Sequence, residues 1–338
     1  MKERITWVDS AKGIGILLVF MGHLVEVSWP GMWAYSFHLP LFFFLSGYLF
    51  SVKTSFRDFL KKKAKSILLP YVTMGLVICF FDALWNTLLT TSSYHPPFLP
   101  RFLTELGWWV IQNRFATLWY LAVLFWINIL MYVIVKYIRF NWLSILCVLV
   151  LLWNGVRYYE TGGGPLPWNW DTVHMALPFF YVGYFIKQHP ILETPFVKWS
   201  FRPLLMVALF AFNIWLLTIN KKETGFGLEM YNNYYGIVPI TYLCAFAGIF
   251  GTIILSSYLH WRPLTYIGKN SLVFFLLHQA VVYPMLNKIY FKLGYGSVYT
   301  STWRFIWVVG SKIIIACIIM FIINECLTKT KLRVLLGK

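Results

Sequence analysis

Charge is scarce in this chain. Asp, Glu, Lys and Arg make up only 12% of its 338 residues, about half the roughly 25% of a soluble domain. Acids are the rarer sign, 12 against 29 Lys and Arg. Cysteine gives no framework either. Four of the five (Cys79, Cys147, Cys244, Cys317) fall inside apolar runs and Cys326 near the end of one. With no C-x-x-C and no Cys/His metal spacing, neither disulfides nor zinc are indicated. Repeats, low-complexity tracts, a Pro-rich linker and any soluble-sized stretch are all missing, so the expectation is one domain over 1–338. Lys2 and Arg4 precede an apolar run as in a signal peptide. No small-residue cleavage site follows and another apolar run does, so this reads as an uncleaved first span.

What the chain has is apolar surface: 59% hydrophobic and 20% aromatic residues. That surface needs lipid. Since roughly 20 apolar residues cross a bilayer, about ten spans are expected, near 13–29, 36–52, 67–90, 116–136, 142–157, 173–187, 203–220, 236–258, 271–290 and 305–327. The fold class is an all-α polytopic membrane bundle. The net charge of +17 fits cytoplasmic loops under the positive-inside bias better than nucleic acid. An N-terminus in the cytoplasm puts Lys53, Arg57, Lys61, Lys62, Lys63, Lys65, Lys136, Lys187 and Lys329 all inside. An even span count then leaves both termini cytoplasmic, in a multi-pass cell-membrane protein.

Ionisable groups inside such spans mark function, because a charged one costs about 2.5–3.5 kcal/mol at a helix centre. His23 is the first. It follows Lys12 by eleven residues, about 16 Å along a helix, which puts it near mid-depth with Lys12 near the cytoplasmic face. A neutral imidazole accepts a proton from a hydroxyl. The bland alternative is a histidine bonded between helices. Glu26, three residues on, would share the His23 face and orient the ring, or else lie in interfacial water. Asp9 and Lys12 also share a face, as an ordinary interfacial pair.

Lys61, Lys62, Lys63 and Lys65 read first as a topology signal on anionic lipid, and second as a dock for a polyanion. His38 opens FHLPLFFFLSGYLF near the outer face, and Ser46, Gly47 and Tyr48 interrupt it further in. Asp82, with Asn86 four residues on, is a candidate for a polar ligand or for pairing with Arg114 or Lys312. His278 lies inside YIGKNSLVFFLLHQ. Trp119 and Tyr120 belong to a dense set of outer aromatics that suit the interface or stack on sugar rings.

These residues resemble the membrane-bound acyltransferase-3 family, in particular its fucose 4-O-acetylase-like branch. The likeness rests on WVDSAKGIGILLVFMGH, FHLPLFFFLSGYLF, LWYLAVLF at Leu118 to Phe125, PFFYVGYFIK at Pro178 to Lys187, and YIGKNSLVFFLLHQ. The family's first-helix signature is a basic residue, ten others, then His, and Lys12 and His23 meet it. Arginine is commoner at that basic position, and Lys12 lacks its bidentate phosphate grip. The resemblance implies transfer of an acetyl or other acyl group from cytoplasmic acyl-CoA to a hydroxyl of an envelope glycan or its lipid-linked precursor. It implies His23 as general base with Lys12 and Glu26 beside it. Lys61, Lys62, Lys63, Lys65, Ser46 and Tyr48 are then expected at the donor, and His38, Asp82, Arg114, Trp119 and His278 at the acceptor. Acetyl-CoA enters as co-substrate, with no bound cofactor and no metal. The extracytoplasmic hydrolase-like domain of larger members does not fit in 338 residues, so transfer without it is expected. Ser46 could carry an acyl group, though nothing in the sequence asks for it. A transporter or lipid-linked glycan flippase with a proton relay is the alternative class, although the inverted repeats that would favour it are not visible. A descendant that only binds glycans is a third.

Overall fold

The computed structural model describes residues 5–89, 97–111, 115–138, 140–189, 201–224, 228–295 and 302–337. Its helices are α1 (Thr6–Leu24), α2 (Trp29–Tyr35), α3 (His38–Tyr48), α4 (Phe56–Lys63), α5 (Leu69–Leu88), α6 (Phe98–Ile111), α7 (Trp119–Tyr137) and α8 (Asn141–Glu160). There follow α9 (Trp170–Gln188), α10 (Arg202–Thr224), α11 (Val238–Tyr258), α12 (Arg262–Lys269), α13 (Ser271–Leu277), α14 (Tyr283–Lys292) and α15 (Thr302–Lys329). Wider π turns join α4 to α5 at Ala64–Leu68 and α13 to α14 at His278–Val282. The protein is an all-α polytopic membrane bundle.

Among the described residues, 8 helical stretches are long and apolar enough to cross a membrane: Thr6–Leu24, Phe56–Leu88, Phe98–Tyr137, Asn141–Glu160, Arg202–Glu223, Val238–Tyr258, Ser271–Lys292 and Thr302–Lys329. The other two expected spans fall on α3 and α9. Helix α3 has 11 residues, about 16 Å, roughly half a hydrocarbon core of about 30 Å. Helix α9 has the length but carries Asp171, His174 and Lys187, with Pro178 inside it. Both are inner helices. Every α3 residue except Ser46 is buried. Lipid-type surface lies elsewhere: α8 exposes Trp142, Leu146, Leu149 and Trp153, and α15 exposes Trp307, Ile314 and Ile318. These sit at helical spacing along one side of each helix and would be untenable in water.

The chain forms two compact units. One comprises Met1–Phe59, Trp126–Pro165 and Trp170–Ser271; the other comprises Leu60–Phe125, Leu166–Asn169 and Leu272–Lys338. In the first unit, α3 packs on α9 backbone to backbone. A Cβ at Gly47 would strike the Phe180 carbonyl, and one at Gly183 the Phe44 carbonyl. Helix α1 is seated on α12 in the same way, Gly13 against Leu264 and Gly268 against Asp9. In the second unit, α5 pairs with α6: the Tyr71 hydroxyl donates to the Trp109 carbonyl at 3.1 Å, and the Trp109 ring fills the space over Gly75.

Candidate functional site

Helix α1 carries the Lys12–His23 line, with Asp9 in its first turn and His23 in its last. It begins earlier and stops sooner than the apolar run suggests. The turn Val25–Ser28 ends it: the Ser28 backbone N–H and side-chain hydroxyl both donate to the Val25 carbonyl, at 2.9 and 2.6 Å. Ser28 then accepts from the Gly31 N–H at 3.4 Å to cap α2, where Pro30 occupies the first turn. His23 is thus a helix-end residue. Glu26 lies past the helix and is exposed, so the helical spacing that would put it on the His23 face does not apply.

At the start of α1 is a cavity of about 500 Å³, within the usual range for small-molecule sites, about 300–1,000 Å³. Asp9, Lys12, Tyr48, Ser51, Lys187 and Gln188 supply its polar lining. Trp7 packs edge-on to Tyr48 with ring centroids 5.0 Å apart. The Lys187 ammonium stands 5.0 Å from the centroid of the Tyr48 ring on its face, a cation–π arrangement. Two ammonium groups from α1 and α9 therefore converge on one polar cavity.

About three turns along α1, the Tyr35 hydroxyl lies 3.1 Å from His23 Nδ1. Tyr35 reaches it because position 22 is glycine: a Cβ there would press the Tyr35 ring at 3.2 Å. His38 completes the group, its ring edge-on to Tyr35 at 5.0 Å between centroids. His38 is 1% exposed, and its Nδ1–H donates to the Ala34 carbonyl at 2.7 Å. That fixes the neutral tautomer with the lone pair on Nε2. Burial raises the Tyr35 phenol above its ordinary value, and the charges of Glu26 and then Glu229 add to that.

The second unit holds the other sequence-predicted residues. Asp82 is ion-paired with Arg101 at 3.0 Å and accepts from Asn86 Nδ2 at 3.0 Å; Arg101 also pairs with Glu105 at 2.8 Å. Lys312 donates instead to Asn287 at 2.9 Å, and Arg114 lies outside the described residues. His278 is buried at the start of the π turn, where Nδ1–H donates to the Phe275 carbonyl at 2.8 Å. Trp119 is buried edge-on to Tyr120, which packs on Phe275. Lys61, Lys62 and Lys65 are exposed, Lys63 is half-buried, and all four lie in the second unit. Ser46 is half-buried on α3. Among the described residues no cluster of three His, Cys, Asp or Glu side chains is placed to hold a metal ion.

Comparison with known proteins decides which chemistry this geometry belongs to. A family model described as an acyltransferase domain matches residues 5–325. The chain belongs to the acyltransferase-3 family. A curated relative is the nodulation protein NolL of Mesorhizobium japonicum, 26% identical over 220 residues. That alignment covers 60% of this chain and 54% of NolL, so the chain spans about half of that relative. No solved structure matches.

Within this acyltransferase-3 chain the first unit brings Lys12, Tyr48, His23 and His38 onto α1 and α3. Three residues of the site were not singled out in the sequence. Lys187 closes PFFYVGYFIK at the same kind of span end as Lys12, a signal that was present. Tyr35 and Glu229 carry no such signal. Their positions follow from the turn after α1 and from the 228–237 segment. There Glu229 and Tyr234 exchange two backbone hydrogen bonds of 2.9 Å, Asn233 donates to Asp171, and Asn220 accepts from the Ile237 N–H at 2.8 Å.

Proposed function

We propose that this protein is a membrane O-acyltransferase, most directly an O-acetyltransferase, of the cell membrane. It moves an acyl group from cytoplasmic acyl-CoA to a hydroxyl of a surface glycan or its lipid-linked precursor. The observation that carries the reading is the α1 line: a cavity with two lysines at one end, and a histidine held at the other about 16 Å away. That separation suits an acyl-CoA whose phosphates stay in the cavity while its pantetheine arm runs along α1. With the N-terminus in the cytoplasm, the cavity faces the donor and His23 faces the acceptor.

The reaction balances without a further reactant. His23 takes the proton of the acceptor hydroxyl, the oxygen attacks the thioester carbonyl, the C–S bond breaks, and the thiolate recovers the proton from the imidazolium. The last carbonyls of α1 present partial negative charge to the cation formed midway. Lys12 and Lys187 hold donor phosphate, and Lys61, Lys62, Lys63 and Lys65 are further basic candidates for a polyanion. Ser46 and Tyr48 flank the arm. His38 offers its Nε2 to an acceptor hydroxyl, and Asp82, Arg114, Trp119 and His278 are the remaining acceptor candidates.

The test is glycan O-acyl content by mass spectrometry, from cells with and without the protein, together with acyl-CoA-dependent transfer by isolated membranes. Loss of O-acyl groups with the protein, and transfer only when acyl-CoA is supplied, is the expected result. Substrate movement that depends on a proton gradient and leaves the thioester intact would replace this reading with a transporter. Lys187→Ala tests the cavity: the KM for acyl-CoA is expected to rise about tenfold, the equivalent of roughly 1.4 kcal/mol, with kcat unchanged. A fall in kcat at constant KM would remove Lys187 from the donor site.

A further inference from the structure

We infer that Tyr35 is the positioning residue for His23, its phenol oxygen accepting from Nδ1–H and so holding the imidazole in the tautomer catalysis needs. The inference rests on the reading of His23 as general base. A hydroxyl 3.1 Å from His23 Nδ1 has two arrangements. If Tyr35 donates, Nδ1 holds the lone pair, Nε2 carries hydrogen, and Nε2 cannot take a proton. If Nδ1–H donates to the phenol oxygen, Nε2 is the basic nitrogen. Base catalysis at Nε2 requires the second, in which the phenol hydrogen must point elsewhere.

Tyr35 occupies Nδ1, so the acceptor proton goes to Nε2 and Nδ1 carries the ring hydrogen. Desolvation, ahead of the charges of Glu26 and Glu229, raises the Tyr35 phenol and keeps it protonated, and its oxygen lone pairs can accept the Nδ1–H. His23 and His38 are the titratable rings packed against Tyr35. His38 does not compete for the phenol proton through Nδ1, which is spent on the Ala34 carbonyl. The Tyr35 ring is fixed by Gly22 on one side and His38 on the other. In the reaction Nε2 gains and returns the acceptor proton, the Nδ1–H bond to the phenol shortens while the ring is charged, and Tyr35 keeps its own proton throughout.

Tyr35→Phe keeps the ring and removes only the hydroxyl. It is expected to lower kcat about 10- to 100-fold, part of the roughly 10²- to 10⁴-fold that general-base catalysis supplies, with the KM for donor and acceptor unchanged. Selective ¹⁵N-histidine NMR of the whole protein in lipid, with the His23 signal assigned from its loss in His23→Ala, reads the tautomer directly. The parent is expected to show His23 protonated at Nδ1, and Tyr35→Phe to shift that population toward Nε2–H. A parent protonated at Nε2, or a fully active Tyr35→Phe beside an inactive His23→Ala, would overturn the positioning role and leave the base intact. An active His23→Ala would instead overturn the base, and with it the reading on which this inference stands.

Discussion

His23→Ala is expected to lower kcat for acyl transfer about 10²- to 10⁴-fold and to leave acyl-CoA binding at its parental level. The two halves of that expectation come from the geometry of α1. The substitution removes the ring whose nitrogen takes the acceptor proton in the proposed mechanism, and general-base catalysis supplies that much of a rate. Donor affinity is proposed to reside about three turns away, in the cavity lined by Lys12, Tyr48 and Lys187, which the substitution does not touch. The fold is expected to tolerate it: His23 is half-buried, and its bond to Tyr35 joins the end of α1 to the end of α2, the next helix in the chain. His23→Gln, which restores a polar side chain without a basic nitrogen, should be as inactive as alanine. The check is single-turnover transfer from labelled acyl-CoA in membranes, with donor binding measured in parallel. Parental turnover in His23→Ala would sink the mechanism. Lost donor binding with lost turnover would mean that the histidine shapes the donor path.

Much of this site was legible because α1 is a single uninterrupted helix. Spacing along a helix converts directly into distance, so Lys12 and His23 could be placed about three turns apart from sequence alone, and both lie on α1. The all-α bundle followed from the shortage of charge. What escaped depends on chain reversals. Tyr35 reaches His23 only because the Val25–Ser28 turn folds α2 back over Gly22, and no periodicity encodes that. Glu26 went the other way: its three-residue spacing from His23 holds only if the helix continues, and α1 ends at Leu24. Asp82 was a candidate for a polar ligand or for pairing with a basic residue such as Arg114 or Lys312; the pairing with Arg101, brought over by the return of α6 along α5, was not foreseen. The FHLPLFFFLSGYLF run looked like a span because hydropathy measures burial without saying whether lipid or protein does the burying.

That inner helix carries the second large effect. Gly47→Val and Gly183→Val are each expected to destabilise the protein by about 3 kcal/mol or more, beyond the usual 1–3 kcal/mol of core overpacking. The reason is what the new Cβ would meet. At Gly47 it runs into the Phe180 carbonyl, and at Gly183 into the Phe44 carbonyl. Backbone cannot rotate aside as a side chain can, so α3 and α9 must separate. Against a total stability of about 5–15 kcal/mol, that separation should show as a lowered detergent-melting midpoint and less protein in the monodisperse size-exclusion peak. Gly107→Ala is the control: it sits on α6 with nothing within 4 Å of a new Cβ, and is expected to be neutral or to stabilise by up to about 1 kcal/mol through helix propensity. The pair also reports on function. Tyr48 is the residue after Gly47, and Lys187 follows Gly183 by one helical turn, so the contact that locks α3 to α9 also sets Lys187 over the Tyr48 ring. Gly183→Ala, the smaller insult, should therefore raise the KM for acyl-CoA in whatever fraction folds, before any change in kcat. An unchanged melting midpoint in both valine variants would show that α3 and α9 do not meet through their glycines.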